Sequence, residues 1–106
     1  MQSCFPYGVK AMADSILQSE KVCYITGQTN NLHKHHIFFG FANRKISEEQ
    51  GFWVYLAPWL HNASAEGVHG KNGRELDLML KRHAQAKYEE THSREEFVRL
   101  IGKNYL

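Results

Sequence analysis

The sequence predicts an α+β domain, because short strand-forming segments come first and helical patterns come last. Val22-Cys23-Tyr24-Ile25-Thr26 and Phe52-Trp53-Val54-Tyr55-Leu56 are dense in β-branched and aromatic residues. From Arg74 to Glu90, by contrast, Leu76, Leu80, Ala84 and Tyr88 recur every four positions, the helical interval. With 106 residues, 42% of them hydrophobic and 23% charged, the chain suits one globular domain with one modest core.

Residues 1–20 are expected to form an N-terminal extension, and residues 21–106 the domain proper. Pro6 and Gly8 argue for irregular structure early in the extension. Ala11 to Gln18 has the makings of a short helix, which Ile16 and Leu17 would dock on the core. A first strand is expected over 22–26, followed by turn residues Gly27 and Asn30-Asn31. Leu32 to Phe39 reads as a second extended piece ending at Gly40. Ser47-Glu48-Glu49-Gln50 has a capping-box pattern, which predicts a short helical turn closed by Gly51. The strand 52–56 is stopped by Pro58, and the glycine-rich stretch His61–Gly73 reads as a loop or a broken first helical turn. In the long helix 74–90, Met79, His83 and Ala86 widen the apolar face. Ser93-Arg94-Glu95-Glu96 is a second capping box, and it starts a short final helix whose Phe97, Val98, Leu100 and Ile101 face inward, ending before Gly102.

A net charge of +2 permits nucleic-acid binding without demanding it. No apolar run approaches the roughly 18 residues of a membrane span, so no membrane partner is expected. Met1 to Lys10 lacks the pattern of a secretory signal. Cys4 and Cys23 are too few for a disulfide framework, and a reducing, cytoplasmic setting fits that usage.

Metal chemistry therefore falls to seven histidines. His35 and His36 are adjacent between apolar segments, and His61 and His69 follow about 30 residues later. Imidazole both ligates transition metals and exchanges protons near neutral pH. Neighbours on a strand point to opposite sides, so one of the pair can face a metal while the other faces water. His61, just after a strand, and His69, near the start of a helix, would complete the ligand set. Such a set suits one divalent ion: zinc, manganese, nickel, or magnesium with waters. His33 would share a face with His35, although solvent exposure accounts for it equally well. His83 is expected half-buried and hydrogen-bonded, and His92 beside a helix end. Trp53 and Tyr55 read mainly as core.

His35-His36-Ile37-Phe38, Asn43-Arg44-Lys45-Ile46-Ser47, Trp53-Val54-Tyr55-Leu56 leading to His61-Asn62, and Gly67-Val68-His69 together resemble the HNH endonucleases. With the ending Phe97 to Leu106, the chain looks like the phage and prophage type, similar to the recombination-enhancement nuclease that works with RecA. The resemblance implies a ββα-metal (His-Me finger) core with a long C-terminal helix and a short final helix. It implies metal ligands at His35, His61 and His69, and a general base at His36 that hydrolyses phosphodiester bonds of DNA. DNA and a recombinase such as RecA would be its partners, in a bacterial host cytoplasm. His69 stands at a longer interval from His61 than the family's usual single helical turn. The family's two Cys-x-x-Cys pairs are missing, since Thr26, Ala57 and Leu60 stand in their place, so no structural zinc is expected. The middle Asn that orients the base has no match on 52–56, and Asn62 and Asn43 are the stand-ins.

Arg44, Lys45, Lys71 and Arg74 are candidates to grip phosphates, though each also fits an exposed basic turn. Two further functions compete with the endonuclease. One is a non-catalytic, metal-stabilised module binding nucleic acid or protein; the other is an RNase or small phosphoesterase.

Overall fold

The computed structural model describes residues 13–106. Pro6, Gly8 and the first residues of the expected 11–18 helix lie outside this range, and residues 13–20 form no helix. The element order is β1 (His33–His36), α1 (Phe41–Gln50), β2 (Trp53–Leu56), α2 (Pro58–His61), α3 (Arg74–Tyr88) and α4 (Arg94–Ile101). The domain is thus α+β, with one two-stranded antiparallel sheet. No helix among the described residues is long and apolar enough to cross a membrane.

The register pairs His33 with Leu56, Lys34 with Tyr55, His35 with Val54 and His36 with Trp53. Val54 and Leu56 are buried while Trp53 and Tyr55 are half-buried, the alternation of a sheet with one wet face. The 22–26 strand does not form. Instead Cys23 heads a turn, in which its N–H donates to the Gln28 carbonyl and its carbonyl accepts from Gly27. Gly27 has φ 80°, a reversal that side-chain-bearing residues resist. The Cys23 sulfur accepts the N–H groups of Thr26 and Ala57, so burial of this thiol fixes a turn rather than a strand. Only Tyr24 reaches β2, donating to the Tyr55 carbonyl at 2.8 Å. Residues 13–18 cover the rest of that edge: Gln18 Oε1 accepts from the Tyr55 N–H, and Ser15 Oγ donates to the Trp53 carbonyl. The open strand edge is thereby closed without a third strand.

The second departure is α1, which runs ten residues where only a turn at 47–50 was expected. Ser47 is not its cap. It lies buried inside the helix, where its hydroxyl donates to the Phe38 carbonyl at 2.6 Å and accepts the Phe38 N–H at 3.1 Å. One side chain thus satisfies both backbone groups of a buried residue just past β1, each of which would cost about 1–3 kcal/mol if orphaned. Gly51 closes the helix in the left-handed conformation, as its position suggested. Pro58, expected as a strand stop, also opens the single turn of α2.

α3 lies where the periodicity placed it and α4 where the capping box did, and that Ser93 box is complete, with Glu96 N–H on Ser93 Oγ and Ser93 N–H on Glu96 Oε1. The buried stripe of α3 differs from the expected one. Leu80, Ala84 and Gln85 are buried, whereas His83 and Ala86 are exposed. Gln85 is tolerated because its amide donates to Glu89 and Asn104 and accepts the Tyr105 N–H, each at 2.7 Å. The core centres on Phe38, Phe52 and Phe97, all fully buried, with ring centroids 5.3–6.1 Å apart. Edge-to-face contacts of this kind add about 1 kcal/mol per pair beyond area burial.

Candidate metal centre

The strand β1 positions two histidines by simple alternation. His35 turns inward and is buried; His36 turns the other way and is half-buried. Inward burial brings the His35 ring against rings from α2 and the loop that follows it. Centroids of His35 and His61 lie 5.1 Å apart, those of His35 and His69 5.2 Å, and those of His61 and His69 4.9 Å. One ligand atom from each of the three lies within 4.8 Å of the others, close enough to hold one metal ion.

His69 reaches this point because the loop after α2 folds back on its start. The N–H of Val68 donates to the Leu60 carbonyl at 2.9 Å, and that of His69 to the His61 carbonyl at 3.1 Å. The fold-back requires Gly67, where an added Cβ would stand 2.6 Å from the His61 carbonyl oxygen. The long His61–His69 interval is thus a return loop rather than a stretched helix.

His35 carries the chemical argument. Its residue exposure is 1%, and neither ring nitrogen has a hydrogen-bond partner among the described residues. An orphaned buried ring nitrogen costs about 1–3 kcal/mol, and a coordinated cation removes that cost. Burial first, then repulsion from His61 and His69, lowers the His35 pKa to about 3. Burial, then His69 and His33, lowers His61 to about 4. Both rings stay neutral near pH 7 and keep a lone pair for a metal, so the residues fit such an ion.

These shifts set a pH dependence for the metal-free protein. Between pH 6.5 and 3 an unfolded histidine binds a proton that folded His35 refuses, so stability must fall as pH falls. By about pH 5 His35 alone should remove about 2 kcal/mol. Urea midpoints of chelator-treated protein near pH 7 and pH 5 test this. The gap should narrow in a His35→Leu protein, and an equal gap in both proteins would refute the assignment.

Two further residues orient the histidines, His33 at the converging rings and Glu48 at His36, and neither stood out in the sequence as doing so. His33 Nδ1 lies 3.1 Å from His61 Nδ1, which leaves His61 Nε2 for a ligand. Glu48, in the last turn of α1, meets His36 Nε2 at 2.6 Å through Oε1 and Lys34 Nζ at 2.9 Å through Oε2. Burial alone would raise the Glu48 pKa, but these two hydrogen bonds outweigh it and lower the value. An ionised carboxylate only accepts, so the His36 proton sits on Nε2 and Nδ1 carries the free lone pair.

A cleft of about 590 Å³ joins these groups, lined by His35, His36, His61 and His69 with Asn62 and Arg44. Phe39 forms its apolar wall, with its centroid 5.0 Å from His69 and the Lys81 ammonium 4.6 Å from its ring. No family model, curated protein or solved structure matches this chain.

The remaining candidates divide by position. Asn62 is exposed on the cleft. Asn43 donates from Nδ2 to the Ile101 carbonyl at 3.2 Å and ties α1 to the end of α4, a structural bond outside the cleft. Lys45 borders a second hollow beside His36, together with Phe41, Arg44 and Glu48. Lys71 and Arg74 are exposed and line neither hollow. His83 bonds the Tyr24 hydroxyl at 2.9 Å, and His92 stacks on Tyr88 at the end of α3.

Proposed function

We propose that this chain is a metal-dependent endonuclease of the HNH type that hydrolyses phosphodiester bonds of DNA. In this reading β1, β2 and the α2 segment make up a ββα-metal finger. The observation that carries it is the convergence of His35, His61 and His69 beside a fourth histidine, His36, held by a carboxylate on the same cleft. Three imidazoles hold an ion while leaving positions open, the pattern of a catalytic rather than a structural centre. The donor set favours a transition ion such as zinc, nickel or manganese over magnesium, which prefers oxygen ligands. A bound cation would supply positive charge to the phosphate and the departing oxygen.

The chain's own residues perform the proton work. His36 Nδ1 takes a proton from the attacking water, and Glu48 fixes the tautomer and steadies the imidazolium that results. Lys34 holds Glu48 from its other oxygen, and it also lies 4.1 Å over the Trp53 ring, so the carboxylate is braced from the sheet. Arg44 at the cleft rim stands ready for a phosphate oxygen. Phosphate contacts of this kind carry no base information, so cutting should show little sequence preference. Association with a recombinase such as RecA rests on the resemblance alone.

Supercoiled plasmid is the direct test. Chelator-stripped protein should leave it intact, and manganese, nickel or zinc should restore nicking. Persistent DNA binding with no cutting under any of these ions would favour the non-catalytic module instead. Cutting confined to RNA would favour the ribonuclease.

A further inference from the structure

Phe41 opens α1 at the mouth of the cleft, and at 105% relative exposure none of its ring is covered. An apolar ring left wholly in water forgoes the burial that stabilises Phe38, Phe52 and Phe97. Arg44 and Lys45 follow at the third and fourth positions, so all three side chains share one face of the helix. Neither cation is ion-paired among the described residues, unlike Lys34, Lys81 and Lys87. Phe41 and Arg44 line both the histidine cleft and the adjoining hollow of about 360 Å³, which Lys45, His36 and Glu48 complete, the Glu48 carboxylate being already paired with Lys34 and His36.

A fully exposed ring next to two cations with no ion pair among the described residues suits an occupant with both an aromatic plane and negative charge. A nucleic-acid strand has both, provided the base is unpaired, because a duplex keeps its base faces stacked.

Resting on the endonuclease reading, we propose that Phe41 is a stacking post for an unpaired nucleobase of the DNA strand entering the histidine cleft, with Arg44 and Lys45 holding the flanking phosphates. The substrate is then single-stranded or locally distorted DNA in preference to intact duplex. Phe41 acts in binding and positioning, away from the proton transfer.

The test is anisotropy of a labelled oligonucleotide, single-stranded or annealed, bound by the full chain in chelator. Wild type should favour the single strand. Phe41→Ala should weaken single-strand binding about tenfold, change duplex binding less than about twofold, and be rescued by Phe41→Tyr. Single-strand affinity retained within about twofold in Phe41→Ala overturns the proposal, even if plasmid nicking proves the endonuclease reading right. Wild type that neither binds nor cuts DNA overturns both. A wild-type dimer in sedimentation that Phe41→Ala dissociates, with DNA affinity unchanged, assigns the ring to a second copy and also overturns the proposal.

Discussion

Replacing His35 by alanine is expected to weaken metal binding by at least about 100-fold and to abolish cleavage. Losing even an outer partner of a ligand costs about 10–100-fold, and His35 is the most buried of the three converging rings. Thermal denaturation provides a readout independent of activity. Metal at about 100 times its Kd should stabilise wild type by about 2.7 kcal/mol. That increment should disappear in His35→Ala. The metal-free variant should not collapse, because the substitution also removes two orphaned buried nitrogens along with the ring's packing. Wild-type metal affinity in this variant would end the case for the centre.

The opposite separation is expected at His36. His36→Ala should slow cleavage about a thousandfold, within the usual 100- to 10,000-fold contribution of a general base, with metal affinity unchanged. Glu48→Gln should fall between this variant and wild type. Its amide can present a donor to His36, which favours the wrong tautomer and removes the charge that steadies an imidazolium. Isothermal titration with manganese and a plasmid nicking time course separate the two properties. If His36→Ala loses metal affinity together with cleavage, His36 is a ligand and the base lies elsewhere.

The two variants differ in outcome because adjacent residues on β1 face opposite ways, and this much the sequence conveyed. Strand alternation set His35 and His36 on different sides, helical periodicity located α3, and the capping box located α4. Gly51 and the Ser93 capping box were legible because local backbone chemistry alone dictates them. The three candidate ligands could be named from residue type and order, and they do meet.

Features depending on contacts distant along the chain were not legible. Residues 22–26 are strand-prone, yet the distant Ala57 N–H on the Cys23 sulfur and the Tyr55 carbonyl on the Tyr24 N–H dock them as a turn rather than a strand. Ser47 looked like a cap because its sequence neighbours fit one, but its partners are the backbone groups of Phe38, nine residues away. Glu48 read as part of that capping box, and only the packing of α1 against β1 brings its carboxylate to His36, twelve residues back. Asn43 has the residue type of an orienting amide, but in the fold that amide donates to the Ile101 carbonyl at the far end of the chain.

What the sequence determined by itself is the inventory: one small α+β domain, two opposed histidines on a strand, and two more downstream. Periodicity and residue chemistry are local properties, and they survive in a one-dimensional string. The tertiary structure decided the partnerships. It left His35 without a hydrogen bond among the described residues, set His33 against His61, gave His36 its carboxylate and left Phe41 exposed at the cleft. Burial and hydrogen-bond pairing depend on which distant segments meet, and no spacing along the chain encodes that.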